Sequence, residues 1–521
     1  MYNASDIPCL NLAIARLNKI SPVHFAIWVT QAPYPGGYVH HDCLWTDALS
    51  QTWQAWQELF SVSDLPQLPL VPHATPAPDW PTTGDSQSKR LMQDLGIQLC
   101  QWLFSGEIQN SLAQSQGIAI GKNSPLRLRL EIRDPSLIPL PWEIMQPQPG
   151  QPALSVREHM LWSRTTSDVA PLLPQSLGSL LRVLLVVGAG ESLNLDQEVA
   201  TLTQAWQDTS RPQAIGNCLI PPVPCQVDTL IQPSPSQLLQ TLSQGNYNIF
   251  FYAGHGVAAP DGGLLLLGPQ SALNGTELAQ VLVRHHVTVA IFNACWLAFP
   301  DQVGDRVIPR SSLAEVLLHH GVPAVLGMRD AIADHEALSF IQALAQALAQ
   351  RLPLDQAVAV ARQQLMTLYG FNQPAWTLPI LYMHPEFTGE LIKPIGEGAT
   401  ELPNFSTAWA DNSQAYLRDL GGTNQVWCIR GGLMRVGRRP ENDLVIQERW
   451  VSQQHAEIIC RGQEDGLSYF LRDFSRYGTL VYESGEWRKI NHQEIQLQPG
   501  MHLKFGSSHG QTLEFTLSTT Q

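Results

Sequence analysis

Two short runs end on residues that can do nucleophilic or proton-transfer chemistry. Tyr247-Asn-Ile-Phe-Phe-Tyr-Ala-Gly-His255-Gly256 stays almost wholly apolar until it reaches an imidazole. Val287-Thr-Val-Ala-Ile-Phe-Asn293-Ala-Cys295 does the same and stops at a thiol. A thiol is a weak nucleophile until ionised, and a neighbouring imidazole lowers its pKa. In a cysteine peptidase Cys295 would attack a peptide carbonyl while His255 takes the thiol proton and later protonates the leaving amine. The backbone N–H groups of Gly256 and Cys295 are the expected oxyanion donors. Taken singly, each residue has a plainer reading, a buried core cysteine and a His-Gly turn. The two strand ends, their order and the stretch between them favour the chemical reading.

The elements that must position the pair are two neighbouring parallel strands, whose carboxyl ends open on one edge of a sheet. The surrounding texture agrees. Strands are predicted at Leu181–Val187, Ile249–Ala253, Val287–Asn293, Ala324–Met328 and Pro379–Met383. Helices are predicted at Gln197–Trp206, Gln237–Ser243, Glu277–Arg284, Leu313–His319, His335–Arg351 and Leu354–Leu368, with a Pro/Gly-rich loop over Arg211–Ser236. Short apolar strands alternating with helices predict an α/β fold, a mostly parallel sheet between helices. Upstream, Leu10–Leu17, Leu49–Phe60 and Leu91–Phe104 have helical spacing, Phe25–Val29 reads as a strand and Pro66–Pro81 as a loop or tether. Leu126–Arg133 alternates strictly, which predicts a strand with one buried and one wet face.

The chain has 521 residues, too many for one core, so several domains are expected. Its formal net charge of −14 argues against nucleic acid as the main partner, since phosphate neutralisation needs a basic surface. The eight cysteines are scattered without a CxxC pair, which fits reduced thiols rather than a disulfide framework or a zinc site. The start Met-Tyr-Asn-Ala-Ser-Asp lacks the features of a signal peptide, and no apolar run approaches the roughly 20 residues that span a bilayer. A soluble cytoplasmic protein without membrane partner, metal or cofactor is the expectation. Gly188-Ala-Gly190 follows a strand, but Leu193 stands where a third glycine would complete a dinucleotide fingerprint, so a turn is expected. The pairs His285-His286 and His319-His320 end helices, where a cationic side chain suits the dipole.

Beyond Met383 the character changes. Residues 386–425 are polar with Gly and Pro, a linker candidate, and Val426–Leu517 reads as short strands separated by turn signals, an all-β sandwich. That stretch holds eleven basic and eleven acidic residues, so the excess negative charge lies upstream of it.

An apolar block ending in His-Gly, followed by another ending in a small residue before Cys, resembles the caspase-like cysteine peptidases. Leu140-Pro-Trp142-Glu143, Asn293-Ala-Cys295, Ser311-Ser-Leu-Ala-Glu-Val316 and Gly321-Val-Pro-Ala-Val-Leu-Gly-Met328 narrow the resemblance to the CHAT family, related to caspases and separases. The likeness implies a caspase-like domain over 121–385 and an N-terminal α/β extension of cyanobacterial type over 1–120. It also carries over His255 and Cys295 as the catalytic dyad of a cysteine endopeptidase acting on a protein substrate. Relatives that cut after Arg or Lys often have an acidic residue two before the cysteine. Here that specificity-pocket position is Asn293, which either leaves basic specificity open or caps the following loop. The loop Ala298–Pro309, with Asp301, Asp305 and Arg306, sits where such enzymes carry a processing loop, although a solvated loop is the plainer reading.

Met434-Arg-Val-Gly437-Arg438, Asn442-Asp443, Val451-Ser452-Gln-Gln-His455 and Asp473-Phe-Ser475-Arg476-Tyr477-Gly478-Thr479 resemble a forkhead-associated (FHA) domain over 426–521, after the 386–425 linker. The resemblance implies a phosphothreonine-containing protein as partner, with Arg438 and Ser452 on the phosphopeptide. Charge-assisted hydrogen bonds from an arginine and hydroxyl donors suit a phosphate dianion. His455 would brace the loop, Gly437, Gly478 and Thr479 would shape it, and Arg476 would add a phosphate contact. Tyr477 stands where the family usually has Asn to hold the ligand backbone. The combined reading is a peptidase recruited through phosphothreonine or coupled to kinase signalling. The alternative is a catalytically silent caspase-like scaffold acting through the same module.

Overall fold

The computed structural model describes residues 7–17, 23–35, 39–60, 84–173, 177–188, 195–207, 213–215, 218–220, 222–257, 259, 262–268, 271–294, 302–303, 306–307, 312–330, 332–392, 413–420, 426–429, 433–439, 442–463, 466–483 and 485–519. The chain divides into two compact units, Met1–Pro394 and Ile395–Gln521.

The first unit is built on an 11-stranded sheet. Five parallel strands form one block, in the order Ala324–Met328, Val289–Asn293, Ile249–Ala253, Leu181–Val187 and Cys225–Ile231. A second block runs Pro379–Met383, Met160–Thr165, Leu126–Ile132 and Cys9–Arg16, also parallel. His24–Gln31 and His40–Leu44 extend it with antiparallel pairs. The blocks meet where Pro379–Met383 pairs antiparallel with Ala324–Met328. Strand alternation divides the apolar residues between two core clusters: Phe251, Ile291 and Leu326 belong to one, Phe250, Phe292 and Val325 to the other. Each buried Phe or Leu contributes roughly 1.5–3 kcal/mol, so a run with both faces covered must be nearly continuously apolar. Helices Asp334–Ala349 and Leu354–Tyr369 supply part of the first cluster, Pro235–Gln244, Gly275–Arg284 and Leu313–His319 part of the second.

Four expectations change. Leu10–Leu17 is no helix: Cys9–Arg16 is a strand between Leu126–Ile132 and His24–Gln31, because sheet pairing on both sides overrides the helix preference of Leu and Ala. The loop expected over Arg211–Ser236 contains the edge strand Cys225–Ile231, whose polar Gln226, Asp228 and Thr229 concealed it. Leu126–Ile132 has no wet face, for all seven residues are buried. Its charged side chains meet partners far along the chain. Arg127 Nε donates to Asp355 at 2.6 Å and its terminal nitrogen to the Thr388 carbonyl at 2.7 Å. Arg129 donates to the Pro385 and Phe387 carbonyls, and Glu131 accepts from Ser167. The stretch 386–425 is linker only in part: Phe387, Leu391 and Ile392 are buried in the first unit's core, and Ser413–Asp419 is a strand of the second unit.

Among the described residues the second unit has no helix. One sheet runs Val426–Cys428, Ser413–Asp419, Leu513–Thr519, His502–Phe505, Thr479–Glu483 and Glu486–Ile490. The other runs Leu444–Val445, Leu433–Gly437, Ala456–Gln463, Gly466–Asp473 and Glu494–Leu497. Inward residues of both, among them Val436, Ile458, Leu471, Val481, Leu503 and Phe515, form one core, the sandwich expected from the sequence.

Candidate functional site

The strand before His255 runs alongside the strand before Cys295 in the expected parallel order, with Ile249 level with Val289 and Ala253 level with Asn293. The Gly254 N–H carries the ladder one step further, to the Asn293 carbonyl at 3.4 Å. His255 and Cys295 each stand two positions beyond that matched pair in the sequence. Cys295 lies outside the described residues, as do Asp301 and Asp305; Arg306 opens the short strand Arg306–Val307, paired with Gln302–Val303. Asn293 is half-buried at the strand end and Ala294 is buried. The helix between the two strands, Gly275–Arg284, starts on a capping box in which Asn274 and Glu277 exchange hydrogen bonds with each other's backbone, a stop-start signal typically worth about 1 kcal/mol.

After Ala253 the chain leaves the large sheet and enters a three-stranded one, Gly256–Val257, Leu264–Gly268 and Ser271–Asn274. His255 is exposed at this transition. The Leu266 N–H donates to the His255 carbonyl at 3.1 Å, and Gly256 lies opposite Leu265. This register makes Gly256 the non-hydrogen-bonded position of the antiparallel ladder, so its N–H is directed away from the Leu264–Gly268 strand. Underneath sits Tyr252, whose side chain is fully buried. Its hydroxyl lies 2.7 Å from the His255 carbonyl and 2.9 Å from the Leu266 carbonyl. Sequence reasoning passed over Tyr252. The signal was available, since a phenol in an otherwise apolar buried run must find a hydrogen-bond partner.

In the second unit the loops gather the remaining residues. Arg438, exposed, donates its backbone N–H to the Ser452 carbonyl at 2.9 Å. Arg476, also exposed, donates its backbone N–H to Ser452 Oγ at 3.1 Å, so that hydroxyl is held as an acceptor while its own proton can point outward. The Ser452 N–H in turn donates to His455 Nδ1 at 3.0 Å. That bond fixes the tautomer: the proton is on Nε2, 3.3 Å from the Gly478 carbonyl and 3.7 Å from Asp473. Burial holds the His455 pKa below its usual value, against the opposing pull of Asp473 and the Gly478 hydrogen bond. Gly478 adopts φ 79°, a conformation that a side chain disfavours, and its N–H donates to Ser475 Oγ at 2.7 Å. Gly437 closes its strand where a Cβ would stand 2.4 Å from the Gln453 carbonyl.

Thr479 is buried and donates to Asp473 at 2.6 Å. Asp473 also takes the backbone N–H and hydroxyl of Ser475. Asp473 and Ser475 were missed as loop organisers, although Asp-x-Ser is a turn-forming pattern in which the carboxylate caps the N–H two residues on. Tyr477 is 48% exposed, with the Arg476 guanidinium 5.7 Å from its ring centre.

Among the described residues no group of three or more His, Cys, Asp or Glu could hold a metal ion, and no helix is long and apolar enough to cross a membrane. The CHAT domain family model matches residues 93–387 and the FHA domain model matches residues 434–506. A comparison with curated proteins finds no match. Solved structures similar to the chain include the FHA domain of a Chlamydia trachomatis protein, 28% identical, covering 21% of this chain and 99% of that one, with a TM-score of 0.17. Another is the MEK1 FHA domain in complex with a HOP1 phosphothreonine peptide, 24% identical, covering 20% of this chain and 96% of that one, also with a TM-score of 0.17.

Proposed function

Because the chain belongs to the CHAT domain family and carries an FHA domain in its C-terminal unit, we propose that it is a cysteine endopeptidase recruited to phosphothreonine-bearing proteins. The observation that supports this most is the register of Ile249–Ala253 against Val289–Asn293, after which His255 and Cys295 follow at equal spacing. The Cys295 thiolate attacks the scissile carbonyl, with the thiol proton passing to His255. The outward N–H of Gly256 and that of Cys295 hold the oxyanion, and the imidazolium then protonates the leaving amine. Water hydrolyses the resulting thioester, with His255 as its base. Asn293, without a carboxylate, leaves the pocket open to neutral residues. In the second unit, Arg438, Arg476 and the Ser452 hydroxyl supply donors for a phosphate dianion around one loop.

The test uses the full chain, with and without a phosphothreonine peptide. Cys295→Ala is expected to abolish peptide hydrolysis and labelling by a thiol-directed peptide probe. Hydrolysis that survives the change rules out the mechanism. Arg438→Ala is expected to weaken phosphothreonine-peptide binding at least about tenfold while leaving the unphosphorylated peptide unaffected. Equal binding of both peptide forms by the wild type would point to a phosphate-independent module.

A further inference from the structure

Tyr252 occupies a site built around its hydroxyl. Gly188, just beyond the Leu181–Val187 strand, donates its N–H to the Ala253 carbonyl at 2.8 Å. A Cβ on Gly188 would lie 2.5 Å from the Tyr252 hydroxyl and 2.4 Å from the Leu266 carbonyl, and one on Gly254 would lie 2.8 Å from the hydroxyl. Two glycines therefore leave the room in which the phenol reaches across to the His255 and Leu266 carbonyls. The glycine after the strand, read from the sequence as a turn residue, has this packing as its reason. The phenol has one proton for two carbonyls, and the shorter contact is to His255. The His255 carbonyl thereby accepts from two directions, the Tyr252 hydroxyl and the Leu266 N–H. Burial raises the Tyr252 pKa, so the phenol remains a donor throughout the neutral range.

Resting on the peptidase reading above, we propose that Tyr252 is a positioning residue: its hydroxyl anchors the His255 backbone to the Leu264–Gly268 strand and so fixes where the imidazole stands. It acts through the His255 backbone, to whose carbonyl it donates. Its contribution is the alignment of an exposed side chain on a chain segment that has already left the large sheet. Misplacement of a catalytic group by about 1 Å can cost on the order of a hundredfold in rate.

The experiment compares full-length wild type and Tyr252→Phe, which keeps the ring and removes the hydroxyl. The variant is expected to stay folded by near-ultraviolet circular dichroism, with kcat for peptide hydrolysis reduced at least about tenfold and KM within about twofold. The acid limb of its pH–rate profile is expected to move upward, toward the ordinary thiol value of about 8.5, because a displaced imidazole stabilises the thiolate less. Unchanged kcat and an unchanged limb in the folded variant would overturn the proposal. A second readout needs no activity: exchange of the Leu266 amide proton is expected to quicken at least about tenfold in the variant. Should wild type hydrolyse nothing, the peptidase reading fails, and the Leu266 amide alone decides whether Tyr252 anchors His255; equal exchange rates would then overturn the anchoring. If Tyr252→Phe does not fold, 3-fluorotyrosine at position 252 keeps ring and hydroxyl but strengthens donation. Slower Leu266 exchange is then expected, and no change counts against the anchor.

Discussion

His455 illustrates how much a single protonation site carries. Its Nδ1 is occupied by the Ser452 N–H, so a second proton can enter the ring only by breaking that bond. Because burial depresses its folded pKa, the unfolded chain, with a histidine near 6.5, binds more protons than the folded one below that pH. Stability linked to this residue is therefore complete above about pH 6.5 and is lost as pH falls from there through the depressed folded value. The second unit is expected to lose stability across that window, and phosphothreonine-peptide binding to weaken with it as Ser452 is released. An NMR titration of His455 checks this, and a midpoint at or above 6.5 would contradict it. The histidine could be picked out from its motif, but the tautomer could not. It depends on the Ser452 N–H reaching Nδ1 and on what Nε2 then faces, the Gly478 carbonyl 23 residues away and Asp473, whose Asp-x-Ser pattern names a turn without naming what the turn surrounds.

At the scale of the element, Leu126–Ile132 shows where pattern reading breaks down. Alternating Leu and Arg is the pattern of a half-exposed strand, and nothing local contradicts it. The partners that bury Arg127 and Arg129 come from Asp355 and the Pro385–Thr388 segment, more than 200 residues downstream. Asp355 is fully buried, so Arg127→Ala would strand its charge and is expected to cost about 3–5 kcal/mol in denaturant unfolding. Replacing both partners by apolar residues of similar volume is expected to recover most of that loss. A single variant as stable as wild type would refute the account. Ile249–Ala253 and Val289–Asn293 were legible for the opposite reason, since both faces are covered by apolar neighbours and the apolar run itself is the signal. Cys9–Arg16 was misread because its Leu and Ala suit a helix, and only its two sheet partners make it a strand.

In the first unit as a whole, the N-terminal segment completes the sheet: Cys9–Arg16 covers one side of Leu126–Ile132 along six residue pairs. Deleting residues 1–46 would leave the Leu126–Ile132 strand with an open row of backbone donors and acceptors, a template for association. The truncated chain is expected to be insoluble or to aggregate at concentrations where the full chain is monodisperse by light scattering; a soluble, monodisperse product would contradict this. The α/β class was legible from the alternation of strands and helices, and the sandwich from its turn signals. The reversal of direction between the two blocks was not, because strand order depends on pairings that no local pattern encodes.

That reversal has a consequence for how the protein is made. Pro379–Met383, which joins the blocks, is the last strand of its unit in the chain, yet it lies in the interior of the sheet. A nascent chain emerging from the ribosome therefore carries two separate half-sheets, each with an uncovered inner edge, until residue 383 has been synthesised. His255 and Cys295 leave the ribosome before that joining strand, so the segment bearing them is complete before the sheet around it can close. The topology builds a delay into biosynthesis, and the newborn protein passes through it before its full sheet exists.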